Sequence, residues 1–141
     1  METSGPLDIP PGHVVIFAVE TAEDAIVFEV ALDPAGAQVL DVRDHASVVA
    51  VELGEDAAVA TVNVGATLLY ADREGEEHTT MYDKTTLLKI DMPGVVSTDC
   101  VAGHILDCLG AHDELADEGR IWRHTRRVSA TVSAEREYWH I

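Results

Sequence analysis

Turn signals recur at short intervals along this sequence, and their spacing restricts the fold more than any other feature. Predicted turns, most of them with Gly, Pro or acidic residues, fall at residues 20–24, 33–36, 44–46, 54–56 and 72–77, and the stretches between them are rich in Val and Ala. Intervals of roughly 8–12 residues between such signals are typical of antiparallel β-sandwiches and barrels. We therefore expect a mainly β (α+β) fold built as an antiparallel β-sandwich or barrel.

The apolar residues are small or β-branched, which supports the β prediction. The sequence contains 18 Val and 18 Ala but only seven aromatic residues. Val fits a pleated surface because its branched Cβ restricts χ1. Two predicted strands, residues 14–19 and 25–32, are apolar at nearly every position, so we expect them to be central in a sheet or covered by a neighbouring subunit. Residues 20–24 and 44–46 predict turns between short strands.

One helix is predicted before the final strand, at about residues 97–109, with a second interpretation that extends it to 118. Ser97, Thr98 or Asp99 can cap its N-terminus. Apolar or weakly polar residues then recur at helical spacing at Val101, Ile105, Cys108, Leu109 and His112. After Gly119 the sequence again alternates between apolar and polar residues, which predicts a strand at the end of the chain.

The length of 141 residues favours one domain. We expect residues 1–12 to form an N-terminal arm, because Pro10 and Pro11 lack ladder donors, and residues 13–141 to form a single β-rich domain. The start of the sequence has neither the basic nor the apolar segment of a signal peptide. No apolar run is long enough to span a membrane. The expected location is the cytoplasm, or a virion assembled there.

The charge is strongly negative, with 26 acidic residues, nine Lys or Arg and a net charge of −17. Only two bases are lysines, Lys84 and Lys89. Such a charge destabilises a compact state unless it is screened, and at about 1 M salt the Debye length is only ~3 Å. We therefore favour a protein from a high-salt cytoplasm. A genome rich in GC, which replaces Lys by Arg, is the alternative explanation.

Two cysteines and two histidines lie four residues apart on the predicted helix, at Cys100, His104, Cys108 and His112. A neighbouring pair would be one helical turn apart and could supply two zinc ligands, with His78 as a further candidate. The four together span about 18 Å of helix, which is too far for one ion. We favour packing of these residues in the core, because Cys is often a small buried hydrophobe. No cofactor is expected, and zinc is the alternative.

No catalytic motif is present. The sequence lacks a Gly-x-Ser-x-Gly elbow and the Gly-rich spacings of nucleotide-binding loops. Residues 44–47 place Asp, His and Ser side by side, but a triad requires groups that face one another across the fold. We therefore expect a protein that is not an enzyme.

Positive charge is concentrated at the C-terminus. Residues 1–119 carry a net charge of −20, whereas residues 120–141 carry +3. Arg and aromatic residues are enriched at interface hot spots. The candidate interface residues in this basic, aromatic strand are Arg120, Trp122, Arg123, Arg126, Arg127, Arg136, Tyr138 and Trp139.

Three interpretations of this segment remain open. Its arginines can neutralise the acidic body of the same chain, or they can dock onto an acidic neighbour such as a second copy. Nucleic-acid binding is disfavoured, because the acidic body would repel phosphates. The expected function is a non-enzymatic assembly subunit of a homo-oligomeric complex from a high-salt organism or its virus, such as a capsid-decoration, connector or tail component. The alternative is a small cytosolic enzyme or metal-binding domain that uses the His and Cys residues of the helix.

Overall fold

The computed structural model describes residues 13–138, with the backbone alone at position 138. Six long strands make up almost all of this part of the chain. They are β1 (His13–Ala31), β2 (Gly36–Gly54), β3 (Ala57–Asp72), β4 (Glu77–Asp91), β5 (Cys100–Ala116) and β6 (Ile121–Tyr138).

The strands form two antiparallel sheets of three strands, packed as a sandwich. The strand orders are β1-β6-β5 and β2-β3-β4. β6 and β3 are therefore the central strands, with β1 packed against β4 and β5 against β2 at the two sides. The predicted sandwich is confirmed. The α+β assignment is wrong, because residues 13–138 contain no helix. It follows that the described residues include no helix able to cross a membrane.

The segment predicted as a helix at 97–109, or up to 118, is the edge strand β5. Two β-bulges, at Ala102 and Leu109, interrupt its pairing with β6. A bulge adds one residue and reverses the alternation of the side chains beyond it. Of the residues at the predicted helical spacing, only Val101 is partly buried, whereas Ile105, Cys108, Leu109 and His112 are exposed, so that spacing does not mark a buried face.

Two predicted turns and the predicted placement of two strands are also wrong. Residues 20–24 and 44–46 are not turns, because β1 and β2 run through them. The apolar segments 14–19 and 25–32 are not central strands, because both lie on the edge strand β1, except for residue 32, which directly follows it. Bulges occur in three of the four edge strands, β1, β2 and β5, and every bulged residue is apolar: Phe17, Ala37, Leu40, Val49, Ala102 and Leu109. The turns predicted at 33–36, 54–56 and 72–77 are confirmed as connections between strands.

The core is formed mainly by the inward faces of the two central strands. Alternate residues of β3 and β6 are buried, as the period of a strand requires. At one end, which we call the aromatic half, the buried side chains include Phe28, Tyr70 and Trp122. At the other end, the small-residue half, the central strands bury only Ala and Val: Ala58, Ala60, Val62, Ala130, Val132 and Ala134.

The β5–β6 turn closes the aromatic half. Asp117, Glu118 and Gly119 all have positive φ, at 51°, 57° and 84°. A Cβ on Gly119 would lie 1.9 Å from the carbonyl oxygen of Gly36, so this position requires glycine for both conformation and space. The Gly119 carbonyl also accepts a hydrogen bond from the Gly36 amide at 2.7 Å, which ties the two sheets together.

Candidate functional site

The arginines of the predicted basic strand contact carboxylates of the same chain. Arg123 lies between Glu29 of β1 and Glu114 of β5, with its Nη2 2.8 Å from Glu29 Oε2, because the three residues are opposite one another in the register. The Glu114 and Glu29 carboxylates raise the pKa of Arg123 above its ordinary value. In these contacts the arginine neutralises acidic residues of its own chain, which is one of the interpretations that the sequence left open. Docking onto a partner stays a prediction.

Arg136 makes the most extensive set of contacts. Its Nε and Nη2 donate to the two oxygens of Asp99 at 2.7 and 2.8 Å, and Nη2 also donates to the Gly94 carbonyl at 3.0 Å. Its guanidinium lies 4.3 Å from the centre of the Phe17 ring, a cation–π contact. The Arg136 hydrogen bond lowers the pKa of Asp99. This group therefore fastens the β4–β5 connection to β6.

The other candidate interface residues are divided between surface and interior. Arg120 lies within 4.0 Å of Asp117, and Arg127 lies 3.8 Å from Glu23, both at exposed positions. Trp122 is fully buried, so it belongs to the core of this chain and is not an exposed anchor. The side chain of Tyr138 and all of Trp139 lie outside the described residues.

Arg126 belongs to a buried polar group, the inter-sheet cluster of Asp44, Asp113, His124 and Arg126. Asp44 of β2 forms an ion pair with Arg126, and its Oδ2 lies 3.4 Å from His124 Nε2. On the other side of the ring, His124 Nδ1 is hydrogen-bonded to Asp113 Oδ1 at 2.5 Å. The indole N–H of Trp122 donates to the same oxygen at 2.7 Å.

The inter-sheet cluster is a polar connection between the two sheets, because Asp44 lies on β2 and its partners His124 and Arg126 lie on β6. His124 is fully buried, and its ring centre lies 5.0 Å from that of Phe28. Nε2 of His124 and Nε of Arg126 have no hydrogen-bond partner among the described residues. Such a network is costly to disturb, because removal of one charge leaves its partner buried and unpaired.

Sequence reasoning missed this cluster because it treated residues 44–46 as a turn. In the structure Asp44 points inward, and His45 points outward from the same strand. Nε2 of His45 lies 3.5 Å from Asp83, and the pair crosses directly over Gly65. Gly65 leaves room for this pair because it has no side chain. A Cβ at this position would lie 2.2 Å from the Asp83 carboxylate. The alternation of strand residues was the available signal.

One group in the described residues has ligand atoms close enough for a metal ion. Asp72, Glu76 and His78 offer ligand atoms within 4.8 Å of one another, beside an open cavity of about 480 Å³. Asp72 is already satisfied, because Oδ1 accepts the amides of Glu74 and Glu76 and Oδ2 is 2.8 Å from His78 Nε2. The His78 hydrogen bond lowers the pKa of Asp72. The group stabilises the β3–β4 turn.

The four spaced Cys and His residues do not form a cluster. Because β5 is a strand, neighbours four residues apart are separated by about 13 Å. Cys100, His104, Cys108 and His112 are all exposed. The predicted core packing of these residues is wrong, since an edge strand of an incompletely covered sandwich leaves them in solvent.

In the first part of β1, residues 13–25, all residues are exposed except Val15, Ala18 and Ala22, which are partly buried, and we call this segment the open edge. Val14, Ile16 and Val19 are 55%, 58% and 56% exposed. β1 pairs only with β6 in the described sheet, so its other side carries backbone groups without a ladder partner. Further along β1, Lys84 of β4 donates to the Val27 carbonyl at 3.1 Å, which partly covers the edge there.

Comparisons with known proteins found no matching family model, no matching curated protein and no matching solved structure.

Proposed function

We propose that this protein is a non-enzymatic structural subunit of a homo-oligomeric assembly. The observation that carries the proposal is the open edge, where apolar side chains are exposed on a strand that is itself half unpaired. Natural proteins usually protect such edges with charges, prolines or covering segments, because exposed strand edges pair with other chains. Exposed apolar groups of this kind mark interaction surfaces.

The interior supports a structural role rather than catalysis. The buried polar residues described here are used in contacts between strands and sheets, as in the inter-sheet cluster. The β6 arginines are occupied by carboxylates of their own chain, so an interface based on them would first have to break those pairs. This favours association through apolar surface and backbone pairing.

The acidity supports an origin in a high-salt cytoplasm or in a virus assembled there. A net charge of −17 on 141 residues would make copies of this chain repel one another at low ionic strength. At about 1 M salt this repulsion is confined to ~3 Å, and apolar association is unopposed. A capsid-decoration, connector or tail component of a virus of such a host would meet these conditions.

The second candidate, a metal-binding domain, now rests on Asp72, Glu76 and His78. The cysteine candidates Cys100 and Cys108 are exposed and far from this group. A structural metal would raise stability, and chelation would lower it.

Light scattering at molar salt, combined with metal analysis of the same sample, tests the proposal. We expect an oligomer without stoichiometric metal whose thermal unfolding is unchanged by chelator. A monomer with one equivalent of zinc that loses stability on chelation would contradict the assembly proposal and support the metal-binding candidate.

A further inference from the structure

The open edge has a charge pattern that restricts what can pair with it. Residues 13–19 contain no Asp, Glu, Lys or Arg, whereas acids follow directly at Glu20, Glu23 and Asp24. The bulge at Phe17 adds to the free backbone, because a bulged residue is left without a ladder partner. The available partner surface is thus a short, uncharged stretch of strand next to an acidic one.

We infer that this stretch pairs with the same stretch of a second copy, in antiparallel orientation about Ile16. This inference rests on the proposed function and names the surface that it would use. Pairing about Ile16 places Val14 opposite Ala18 and His13 opposite Val19, so no formally charged side chains face each other. The acids that begin at Glu20 lie beyond the paired run on both copies.

A second copy fits this edge better than a cationic partner. A cationic partner would be drawn to residues 20–24 and to the acidic surface elsewhere, and the uncharged run would add nothing to its recognition. Self-pairing uses the uncharged run itself and makes an isologous two-fold interface, the commonest kind in homo-oligomers. Two copies joined in this way would extend the β1-β6-β5 sheet into one continuous sheet of twice the width.

The pairing has a distinctive dependence on salt. Two chains of charge −17 repel each other, and the repulsion is screened as the Debye length falls from about 10 Å at 0.1 M to ~3 Å at 1 M salt. An interface built on Arg–carboxylate contacts would instead weaken with salt. We therefore expect the oligomeric fraction to rise with ionic strength.

The test compares three chains by light scattering at about 0.1 M and about 1 M salt, the range over which screening changes most. The wild-type mass is expected to rise at least two-fold between the two salts. Ile16→Lys, which places a charge at the centre of the pair, is expected to keep the monomer mass at both. Leu87→Lys is the matched control, because Leu87 is 66% exposed on another edge strand, β4, and it is expected to behave as wild type.

A crosslink keeps the inference testable if Ile16→Lys does not fold. With Cys100 and Cys108 replaced by Ser, Ile16→Cys is expected to form a disulfide-linked dimer under mild oxidation, and Leu87→Cys is expected to stay monomeric. An oligomeric wild type with an unchanged Ile16→Lys mass and no crosslink would overturn this inference and leave the proposed function standing. A wild type that is monomeric at both salts would overturn the proposed function, and the inference with it.

Discussion

The two halves of the sandwich achieve burial in different ways. In the aromatic half, large side chains fill the space between the sheets: Trp122 and Phe28 meet edge to face with ring centres 6.0 Å apart, and the inter-sheet cluster links β2, β5 and β6. In the small-residue half, the central strands bury only Ala and Val, Leu88 and Ile90 of the edge strand β4 are also buried, and β1 and β5 remain partly uncovered. The Ala and Val side chains of β6 leave the flanking strands β1 and β5 partly exposed.

The difference indicates where stability and association are located. Large rings and buried charges make the aromatic half self-sufficient and sensitive to substitution. In the small-residue half the central strands contribute only small side chains, and the edge strand β1 keeps exposed apolar surface. We therefore expect substitutions in the aromatic half to reduce the free energy of unfolding, and substitutions at the open edge to change oligomeric state.

The largest expected effect comes from truncating the central side chain of each half. Trp122→Ala is expected to lower the free energy of unfolding by about 3–5 kcal/mol, since it removes a fully buried ring and the indole donor to Asp113. Val132→Ala, also fully buried, is expected to cost about 2 kcal/mol, from two carbon groups at about 0.8 kcal/mol each and a small cavity. Urea unfolding measures both. Equal losses would contradict the asymmetry between the halves.

A loss of similar or slightly smaller size is expected when the inter-sheet cluster is broken. Asp44→Ala leaves Arg126 buried without its carboxylate, which typically costs about 3–5 kcal/mol. Asp41→Ala is the control on the same strand, because Asp41 pairs with Arg43 at an exposed position, and such pairs contribute about 0–1 kcal/mol. If chemical denaturation gives the same midpoint for both variants, the cluster does not join the sheets.

A smaller effect, limited to acidic pH, is expected at the small-residue end, where Asp99 meets Arg136. Arg136 holds the pKa of Asp99 below its ordinary value of 3.8, so the folded state releases this proton more readily than the unfolded chain. The stabilisation is complete above the unfolded pKa and is lost as pH falls through the folded one. Asp99→Asn should therefore be less stable than wild type near neutral pH. The difference in stability between the two should become smaller as the pH falls below 3.8. A difference in melting temperature between the two chains that does not change with pH would contradict a stabilising Asp99–Arg136 pair.

The smallest effect is expected at the cysteines. Cys108→Ser should change the free energy of unfolding by less than about 0.5 kcal/mol, because Cys108 is exposed on β5. A buried cysteine, as the helical interpretation required, would lose considerably more. A loss above about 1 kcal/mol in urea unfolding would place this side chain in the core.

The sequence predicted the sandwich and its connections where the period of two was undisturbed. On β6, alternate burial from Val128 to Ala134 follows the pattern of the residues directly. On β5, the bulges at Ala102 and Leu109 interrupt that pattern, and the false helix was read from apolar residues such as Ile105 and Leu109 that are exposed in the strand. The inter-sheet cluster was not predictable in the same way, because Asp44, Asp113 and His124 meet only after two sheets fold onto each other.

The central claim is that the small-residue half is completed by a second copy at the open edge, and amide hydrogen exchange tests it most directly. Exchange is measured for residues 13–19, the uncharged run of the open edge, at low protein concentration in low salt and at high concentration in molar salt. Under the second condition, we expect the amides of this segment that do not bond to β6 to become protected, while those of β4 remain unchanged. Rapid exchange of these amides under both conditions, in a sample that light scattering shows to be oligomeric, would contradict the account.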